Sequence, residues 1–586
     1  MGFSHRRRRH RPFVSGLVVG LWIAPVAAAQ VELTAERVAE KRAALERHCP
    51  DLDPESPIAR VLVEEPVIDT HAHTFNLAHL PLEGLLYKYP LSPVVAKPLA
   101  ELIDLVVDTG DLYGAPDDQS RPREAARPPS AEQRQREREL LEQVAARKDK
   151  IYDALGIDPS LDRLRYRTPP ASEQEAGRRV VEEVARAVFD DGHGRASPPT
   201  PIPDTRRDWF SFLRAPLERE DEMAAALMRD HPLVDVFVHH MMDLDRVYAG
   251  WARLDPDQRL QRMAQLDAMF RDPQAPGVSR PQTRFTVAFD PFSGPAGLAQ
   301  VRRGLALGAV AVKFYPPSGY RPTQNVVPPK PGYVSGSFPF LEMPRRRYHQ
   351  RRQWEARYRT GRTNTGPQLD AAVLKMFRLA HGKKVPVFSH HTPVGFEAFK
   401  GYGRLMSEPC LWQEIIESID ASGSFRLVLG HAGGGAAWFG EEPWEGSFDQ
   451  QAYNLCVYYP NVYCDFGYFS EALTPEGQAA LALKLAELIE ERKQDPSESS
   501  RRWDPEGACE TRQNAPPRFP IEDKILYGSD WFLIVREQGQ QKMVCDFART
   551  LAEPALADHD PAEIAKGFFS RNALEAFPAL RRPISP

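Results

Sequence analysis

The chain has 586 residues, of which 42% are hydrophobic and 26% are charged, and its formal net charge is −5. This is the composition of an ordinary soluble protein with ample material for a core. Such a mild acidic balance gives no reason to expect a nucleic-acid partner. The length suits two to four average domains, or one α/β barrel with long insertions.

The first 29 residues have the pattern of a cleaved export signal. An arginine-rich start and an apolar run over residues 13–24 are followed by the small residues Ala27–Ala29, immediately before Gln30. This order is typical of secretory signal peptides. It predicts a periplasmic or secreted protein that keeps no stable membrane span after cleavage. The alternative is an uncleaved membrane anchor, but the apolar stretch of about 17 residues contains Pro25 and is marginal for a span.

The cysteines predict neither a disulfide framework nor a thiolate zinc site. Six cysteines are too few for a disulfide framework in so long a chain. Cys456 and Cys464 flank a predicted turn into a strand and are placed to pair in an oxidising compartment. No pair has C-x-x-C spacing, which argues against a thiolate zinc site.

Two segments lie outside the main repeating pattern. In segment 30–66, the charged amphipathic stretch from Leu33 to His48 predicts a helix packed outside the core. In segment 80–230, charged helical patterns alternate with proline clusters. We predict a helical insert there, which is either a solvated appendage or a lid over the site formed by the rest of the chain.

The remaining residues, 67–79 and 231–580, alternate between apolar strands and amphipathic helices. Eight strands are predicted, beginning at Val67 and then covering residues 233–238, 284–289, 309–315, 385–390, 425–431, 462–466 and 524–530. Near-continuous apolar strands that alternate with helices are typical of a parallel sheet covered on both faces. Eight such units predict a closed (β/α)₈ barrel, with an open doubly wound sheet as the alternative.

The first predicted strand ends in two histidines, His71 and His73. Side chains at i and i+2 of a strand share a face, so both imidazoles can approach one metal ion. The motif alone is weak, because 16 histidines in 586 residues give roughly 0.4 chance matches. Its value depends on whether later strands end in further ligands.

Later strands do end in such residues. Lys313 lies near the end of strand four, His390 ends strand five, His431 ends strand six and Asp530 ends strand eight. In a barrel all these ends face the C-terminal rim, where enzymes of this fold place their chemistry. Imidazoles with one carboxylate suit Zn²⁺, or else Mn²⁺, Fe²⁺ or Co²⁺.

Six motifs carry a resemblance to a known superfamily. They are DTHAHTFN (69–76), VKFYPPSGYRP (312–322), VPVFSHHTPVGF (385–396), LVLGHAGGG (427–435), ILYGSDWF (525–532) and GFFSRNALEAF (567–577). In this order they resemble the amidohydrolase superfamily, specifically its amidohydrolase-related branch. That branch includes lactonase-like hydrolases and aminocarboxymuconate-semialdehyde decarboxylase-like enzymes. The resemblance covers nearly all strands, but neither the insert nor the signal, and it does not specify a substrate.

The resemblance implies roles for five rim residues. His71, His73 and Asp530 would bind one metal tightly, and Asp530 would accept a proton from the activated water and pass it to the leaving group. His390 would bind the same metal or, together with His431, a second one. In single-metal members of the superfamily, the residue matching His431 polarises the substrate or shuttles protons.

Lys313 decides the number of metal ions. Its motif resembles the site at which binuclear members carry a carboxylated lysine that bridges two metals. Single-metal members often keep an unmodified lysine there, which fixes substrate or packs the barrel. One or two ions per chain therefore remain open.

Further candidates have both a structural and a functional interpretation. His240 at the end of strand two is a substrate contact or a core residue, and Asp69 orients a ligand or is structural. Strand alternation allows only one of His390 and His391 to face the metal, and the resemblance favours His390. The glycines 433–435 cradle a phosphate or allow a close backbone turn.

Tyr320 and Arg321 begin a long basic and aromatic loop after strand four. Because arginine binds carboxylates through two parallel hydrogen bonds, this loop suggests an acidic small-molecule substrate, with a solvated basic loop as the alternative.

Together these patterns predict an exported, metal-dependent hydrolase. Metal-activated water would cleave an amide, a cyclic amide or a lactone. The first alternative is a non-oxidative decarboxylase on the same fold, and the second is a catalytically inactive metal-binding protein. The sequence predicts neither the substrate nor the oligomeric state.

Overall fold

Eight short strands form the centre of the structure within the residues described. The computed structural model describes residues 32–75, 79–80, 220–245, 252, 254–271, 280–325, 366–397, 402–420, 422, 424–493, 519–531, 533–537 and 539–581. The strands are β1 (Ile68–Ala72), β2 (Val236–His240), β3 (Gln282–Ala288), β4 (Ala311–Phe314), β5 (Val387–His390), β6 (Leu427–Gly430), β7 (Val462–Asp465) and β8 (Ile525–Leu526). Each overlaps the stretch predicted for it.

The strands are parallel and follow one another around the sheet in sequence order, from β1 to β8. The sheet then closes on itself. The Thr70 N–H donates to the Tyr527 carbonyl at 2.9 Å, and the Asp530 N–H donates to the His71 carbonyl at 2.6 Å. The predicted (β/α)₈ barrel is therefore confirmed, and the open doubly wound sheet is wrong.

Two helices precede β1, and further helices lie between and after the strands along the chain. Those in the described ranges are α1 (Ala35–His48), α2 (Pro57–Glu64), α3 (Glu220–Asp230), α4 (Pro256–Phe270), α5 (Pro295–Ala306), α6 (Gly366–Lys383), α7 (Tyr402–Met406), α8 (Leu411–Ile419), α9 (Phe448–Tyr458), α10 (Pro475–Lys493), α11 (Met543–Leu551), α12 (Pro561–Lys566) and α13 (Asn572–Ala576). Every residue of β4, β5, β6 and β7 is buried. Burial on both faces explains why these strands are nearly continuous apolar runs.

Helix α1 differs from its prediction. It forms where expected, with the Thr34 hydroxyl accepting the Arg37 N–H at its start. However, it does not pack outside the core, because Arg37 Nε and Lys41 Nζ lie 2.7 and 2.5 Å from the two carboxylate oxygens of buried Asp235. Leu45 of the same helix belongs to the main hydrophobic core. The high charge of the helix concealed the fact that two of its cations are buried and paired.

Two disulfide bonds are described, one between cysteines that are close in the sequence and one between distant cysteines. The Cys456–Cys464 bond confirms the predicted pair. A second bond, Cys49–Cys545, was not predicted and connects residues 496 positions apart. It joins the segment after α1 to α11.

Other sequence-based predictions fall where the structure says little. The predicted signal, residues 1–29, lies outside the described residues, as does the predicted insert over 80–230 apart from Leu80 and α3. Among the helices that are described, none has the length and apolar character required to cross a membrane.

Candidate metal centre

His71, His73 and Asp530 converge at the C-terminal rim of the barrel. The donor atoms of these three buried residues all lie within 4.8 Å of one another. Asp530 Oδ1 is 3.1 Å from His73 Nε2 and 3.5 Å from His71 Nε2. The two histidines share a face of β1, and closure of the barrel places the segment after β8 beside them. Asp530 has φ 56°, in the left-handed region that Asp tolerates better than most residues.

Each histidine is held by its Nδ1 atom. His71 Nδ1 lies 2.7 Å from the Asp465 carboxylate, and His73 Nδ1 lies 3.3 Å from the His240 carbonyl. Because a carbonyl can only accept, Nδ1 of His73 carries the proton, and the Asp465 carboxylate favours the same tautomer of His71. Burial lowers the pKa of both imidazoles and keeps them neutral. Each Nε2 atom therefore carries the lone pair through which an imidazole binds a metal ion.

Asp465 was missed by the sequence interpretation. It ends β7, is fully buried and accepts the Thr70 hydroxyl at 3.0 Å. Burial raises the pKa of its carboxyl to about 7. This arrangement requires glycine at position 528, because a Cβ on Gly528 would collide with the Asp465 carboxylate. An acid at the end of an otherwise apolar strand was the signal that could have identified it.

Lys313 lies at the same centre. Its Nζ is 3.3 Å from His71 Nε2 and 4.4 Å from the centre of the Phe388 ring. Burial lowers the pKa of Lys313 to about 7, although Asp530 and Asp465 oppose the shift. A lysine in this environment is available as the neutral amine near neutral pH. The predicted carboxylation of Lys313 stays a prediction.

His390 and His431 form a neighbouring pair. His431 Nε2 and His390 Nδ1 are 3.1 Å apart, and the His431 ring centre is 4.7 Å from that of His71. His431 Nδ1 lies 2.9 Å from the Gly467 carbonyl, and His390 Nε2 lies 3.1 Å from the Val394 carbonyl. Both predicted residues therefore reach the rim, but neither belongs to the three-residue group. Their roles as ligands stay predictions.

The pair depends on an unusual turn. His431 and Ala432 have φ values of 65° and 45°, a conformation that costs free energy in residues other than glycine. The glycines that follow are not a phosphate cradle. The Gly433, Gly434 and Gly435 N–H groups donate to the His391 carbonyl, the His431 carbonyl and the Asp449 carboxylate, respectively. The alternative, a close backbone turn, accounts for them.

The predicted substrate contacts are placed differently from one another. The ring nitrogens of His240 lie 2.9 Å from the Thr70 carbonyl and 3.2 Å from the Thr286 hydroxyl, so this residue is engaged inside the barrel. Arg321 is buried, and its Nε donates to the Leu405 carbonyl at 3.1 Å. Tyr320 borders a small cavity beside Lys313.

Asp69 is structural. Its carboxylate accepts the Ser529 N–H at 3.0 Å, the Ser529 hydroxyl at 2.5 Å and the His71 N–H at 3.0 Å. It thereby fixes the segment that carries Asp530 against β1.

The fold and this site define a (β/α)₈-barrel protein with a candidate metal centre at its C-terminal rim. The donor set fits a divalent ion, since two neutral imidazoles and a carboxylate are buried together and the Nδ1 atom of each imidazole is already engaged. The identity of the metal is not fixed by these contacts.

Comparisons with known proteins add little to this description. No protein-family profile matches the sequence, and no curated protein matches it. Among solved structures, the chain is similar to an uncharacterized TIM-barrel protein from Bordetella bronchiseptica. The identity is 10% and the TM-score 0.33, over 62% of this chain and 83% of that one.

Proposed function

We propose that the protein is an exported, metal-dependent hydrolase of the amidohydrolase type that cleaves an amide, a cyclic amide or a lactone. The observation that carries the proposal is the orientation of the ligands. Asp465 and the His240 carbonyl hold Nδ1 of His71 and His73, so that both Nε2 atoms face Asp530. The six sequence motifs support the same superfamily.

The residues of the centre divide the chemistry among them. When bound, a divalent ion such as Zn²⁺ would supply Lewis-acid activation of water and of a substrate carbonyl. The Asp530 carboxylate is placed to take the proton of an attacking water and to return it to the leaving group. His431, beside His71, would polarise the substrate or move a proton. Lys313 would fix the substrate or, if carboxylated, help to hold a second ion.

The first test is replacement of one ligand. Freshly purified wild-type protein is expected to contain one or two equivalents of Zn, Mn, Fe or Co by elemental mass spectrometry. His73→Ala should retain roughly tenfold less metal, since even residues that only orient a ligand contribute this much. It should also lose hydrolysis of a panel of amides, cyclic amides and lactones.

His381→Ala is the matched control, because His381 lies in the last turn of α6 and is only partly buried. It should keep both metal and activity. Wild-type protein without metal, or a His73→Ala variant that keeps both metal and activity, would overturn the proposal.

The two alternatives give different results in the same assays. Release of CO₂ from carboxylated substrates without hydrolysis of any ester or amide would favour the decarboxylase. Bound metal with neither reaction across the panel would favour a metal-binding protein without turnover.

A further inference from the structure

The loop between β6 and α9 is bound to the start of α9 through the carboxylate of Asp449. This residue lies in the first turn of α9 and is 3% exposed. Its Oδ1 accepts the Gly435 N–H at 3.1 Å, while its Oδ2 accepts the Ala437 N–H at 2.6 Å and the Trp438 N–H at 3.2 Å. Three backbone groups of the loop therefore converge on one buried side chain.

These hydrogen bonds satisfy both partners. A buried carboxylate needs donors in place of water, and buried N–H groups need acceptors. The carboxylate of Asp449 and the three N–H groups supply each other. Removing one of the two carboxylate oxygens would leave at least one buried N–H group without its acceptor, so the conformation of the loop depends on this side chain.

Trp438 connects this arrangement to the strained part of the turn. Its side chain is fully buried, and its indole N–H donates to the Ala432 carbonyl at 3.0 Å. Ala432 directly follows His431, and their φ values are 45° and 65°. Such a conformation persists only where surrounding contacts over-determine it. The hydrogen bond from Trp438 is one of these contacts.

Gly433 brings the turn into direct contact with α9. A Cβ on Gly433 would lie 2.5 Å from both N and Cα of Asp449, which is too close for any side chain. The Gly433 N–H donates to the His391 carbonyl at 3.1 Å. A displacement of Asp449 would therefore reach the backbone only two positions from His431.

The imidazole of His431 is sensitive to such a displacement. Its Nδ1 lies 2.9 Å from the Gly467 carbonyl, and its Nε2 lies 3.1 Å from His390 Nδ1. Contacts of this length weaken steeply when the distance or angle changes. The ring can keep both of them only while the backbone of the turn stays in place.

From these contacts we propose that Asp449, acting through the loop and through Trp438, is a positioning residue for His431. The inference rests on the proposed hydrolase function, in which His431 polarises the substrate or moves a proton. It makes the first turn of α9, outside the barrel strands, part of the machinery that holds the imidazole in its reactive position.

Asp449→Asn tests the proposal with little change of shape. The NH₂ group of asparagine cannot accept a hydrogen bond, so one side of the arrangement loses its acceptor. For the substrate that the wild type hydrolyses fastest, kcat should fall roughly 10- to 100-fold, as expected for a displaced reacting group. KM should stay nearly constant, because the lost contribution belongs to the transition state. At least one equivalent of metal should remain, since the three-residue group is unchanged.

A double-mutant cycle separates positioning from general support of the fold. In a His431→Gln background, Asp449→Asn should lower kcat further by less than about twofold, because the side chain that it positions is already absent. Asp267→Asn, a change of another buried carboxyl on α4, is the control and should leave kcat and KM unchanged in both backgrounds. Unchanged kcat in Asp449→Asn, or an equal loss in both backgrounds, would overturn the proposal.

Trp438→Phe is a second variant for the case that Asp449→Asn does not fold. It removes the indole N–H that binds the Ala432 carbonyl but leaves the three backbone bonds to Asp449 in place. It should lower kcat roughly tenfold at nearly constant KM. Unchanged kcat in this variant would overturn the link through Trp438.

Structural measurements without turnover distinguish this inference from the proposed function. Hydrogen–deuterium exchange of the peptide over residues 431–440 should be roughly tenfold faster in Asp449→Asn, because a buried N–H without an acceptor makes local opening easier. Crystal structures of wild type and variant should show His431 Nε2 displaced from His390 Nδ1. If both changes occur but the wild type hydrolyses nothing, the hydrolase fails and the positioning of His431 stands. If the wild type hydrolyses a substrate but neither change occurs, the positioning fails and the hydrolase stands.

Discussion

Asp465 is the residue on which the orientation of His71 depends. Its carboxylate lies 2.7 Å from Nδ1 of His71, and the Thr70 hydroxyl fixes the carboxylate in turn. A carboxylate that accepts from one ring nitrogen sets the tautomer and makes the other nitrogen a better metal ligand. Asp465 is therefore expected to control metal affinity without touching the metal.

We predict that Asp465→Asn weakens metal binding by roughly 10- to 100-fold. The amide has the shape of the carboxylate but lacks its charge. Its NH₂ group can donate to Nδ1 and its oxygen can accept from Nδ1–H, so it no longer selects one tautomer of His71. Competition with a chromophoric chelator would measure the change. Asp267→Asn, which also replaces a buried carboxyl but on α4, is the control and should not weaken binding. Equal affinities of the Asp465→Asn variant and the wild type would refute the orienting role.

At the scale of single residues, the sequence predicted the candidate metal ligands better than the residues that orient them. The sequence identified His71, His73 and Asp530 for two reasons. Strand periodicity shows which side chains share a face, and the ends of the strands lie at the C-terminal rim of the barrel. Asp465 was missed because its partner, His71, lies 394 positions away in the sequence. Arg321 was a candidate for binding an acidic substrate. Its side chain is instead oriented by a hydrogen bond to the Leu405 carbonyl, which no local sequence pattern reveals.

The sequence predicted the positions of the helices and strands better than it predicted what surrounds them in the fold. All eight strands overlap their predicted stretches, because strands buried on both faces produce continuous apolar runs. Helix α1 was assigned to the outside because of its charge, yet Asp235 draws Arg37 and Lys41 into the interior. Periodicity indicates which face of a helix is apolar, but it does not show whether a charged residue finds a buried partner.

The packing of α4 against β3 leads to a pH-dependent stability. Burial raises the pKa of Asp267 on α4 to about 6, although Arg284 of β3 and Arg271 oppose the shift. In the unfolded chain the pKa is about 3.9. Between these two values the folded protein binds more protons, so this contribution is full below pH 4 and is lost as the pH rises through 6.

Asp267→Asn should remove this dependence. As the pH rises from 4 to 6, the free energy of unfolding of the wild type should fall relative to that of the variant, by at most about 3 kcal/mol. Urea denaturation at several pH values, with chelator present so that metal release does not contribute, would measure the difference. The exposed Asp558→Asn control should follow the wild type. Parallel curves for Asp267→Asn and the wild type would contradict the prediction.

At the scale of the whole molecule, the barrel was predictable from the sequence, but the long-range disulfide bond was not. Eight strand–helix units led directly to the closed sheet. The Cys49–Cys545 bond joins residues 496 positions apart, and only the folded barrel brings them together. The predicted helical insert over 80–230 lies almost entirely outside the described residues and stays a prediction.

The disulfides support the proposed export, because such bonds persist mainly in oxidising compartments. We predict that the mature protein is recovered from the periplasm or the medium with Gln30 as its first residue. Intact-mass analysis would identify the cleavage site, and peptide mapping without reduction should recover both the Cys49–Cys545 and the Cys456–Cys464 pairs. Protein that still begins at Met1, whether retained in the membrane or in the cytosol, would contradict cleavage.

Closure of the barrel between β1 and β8 also determines when the candidate metal centre can form during synthesis of the chain. Ribosomes synthesise the chain from its N-terminus, so His71 and His73 emerge long before Asp530. The contact that seats the last strand beside the first, between Asp69 and Ser529, spans 460 positions. Until Asp530 has been made, the nascent chain lacks the one carboxylate of this three-residue group. A metal ion held by all three residues of the candidate centre would therefore be captured late, after nearly the whole chain has been made.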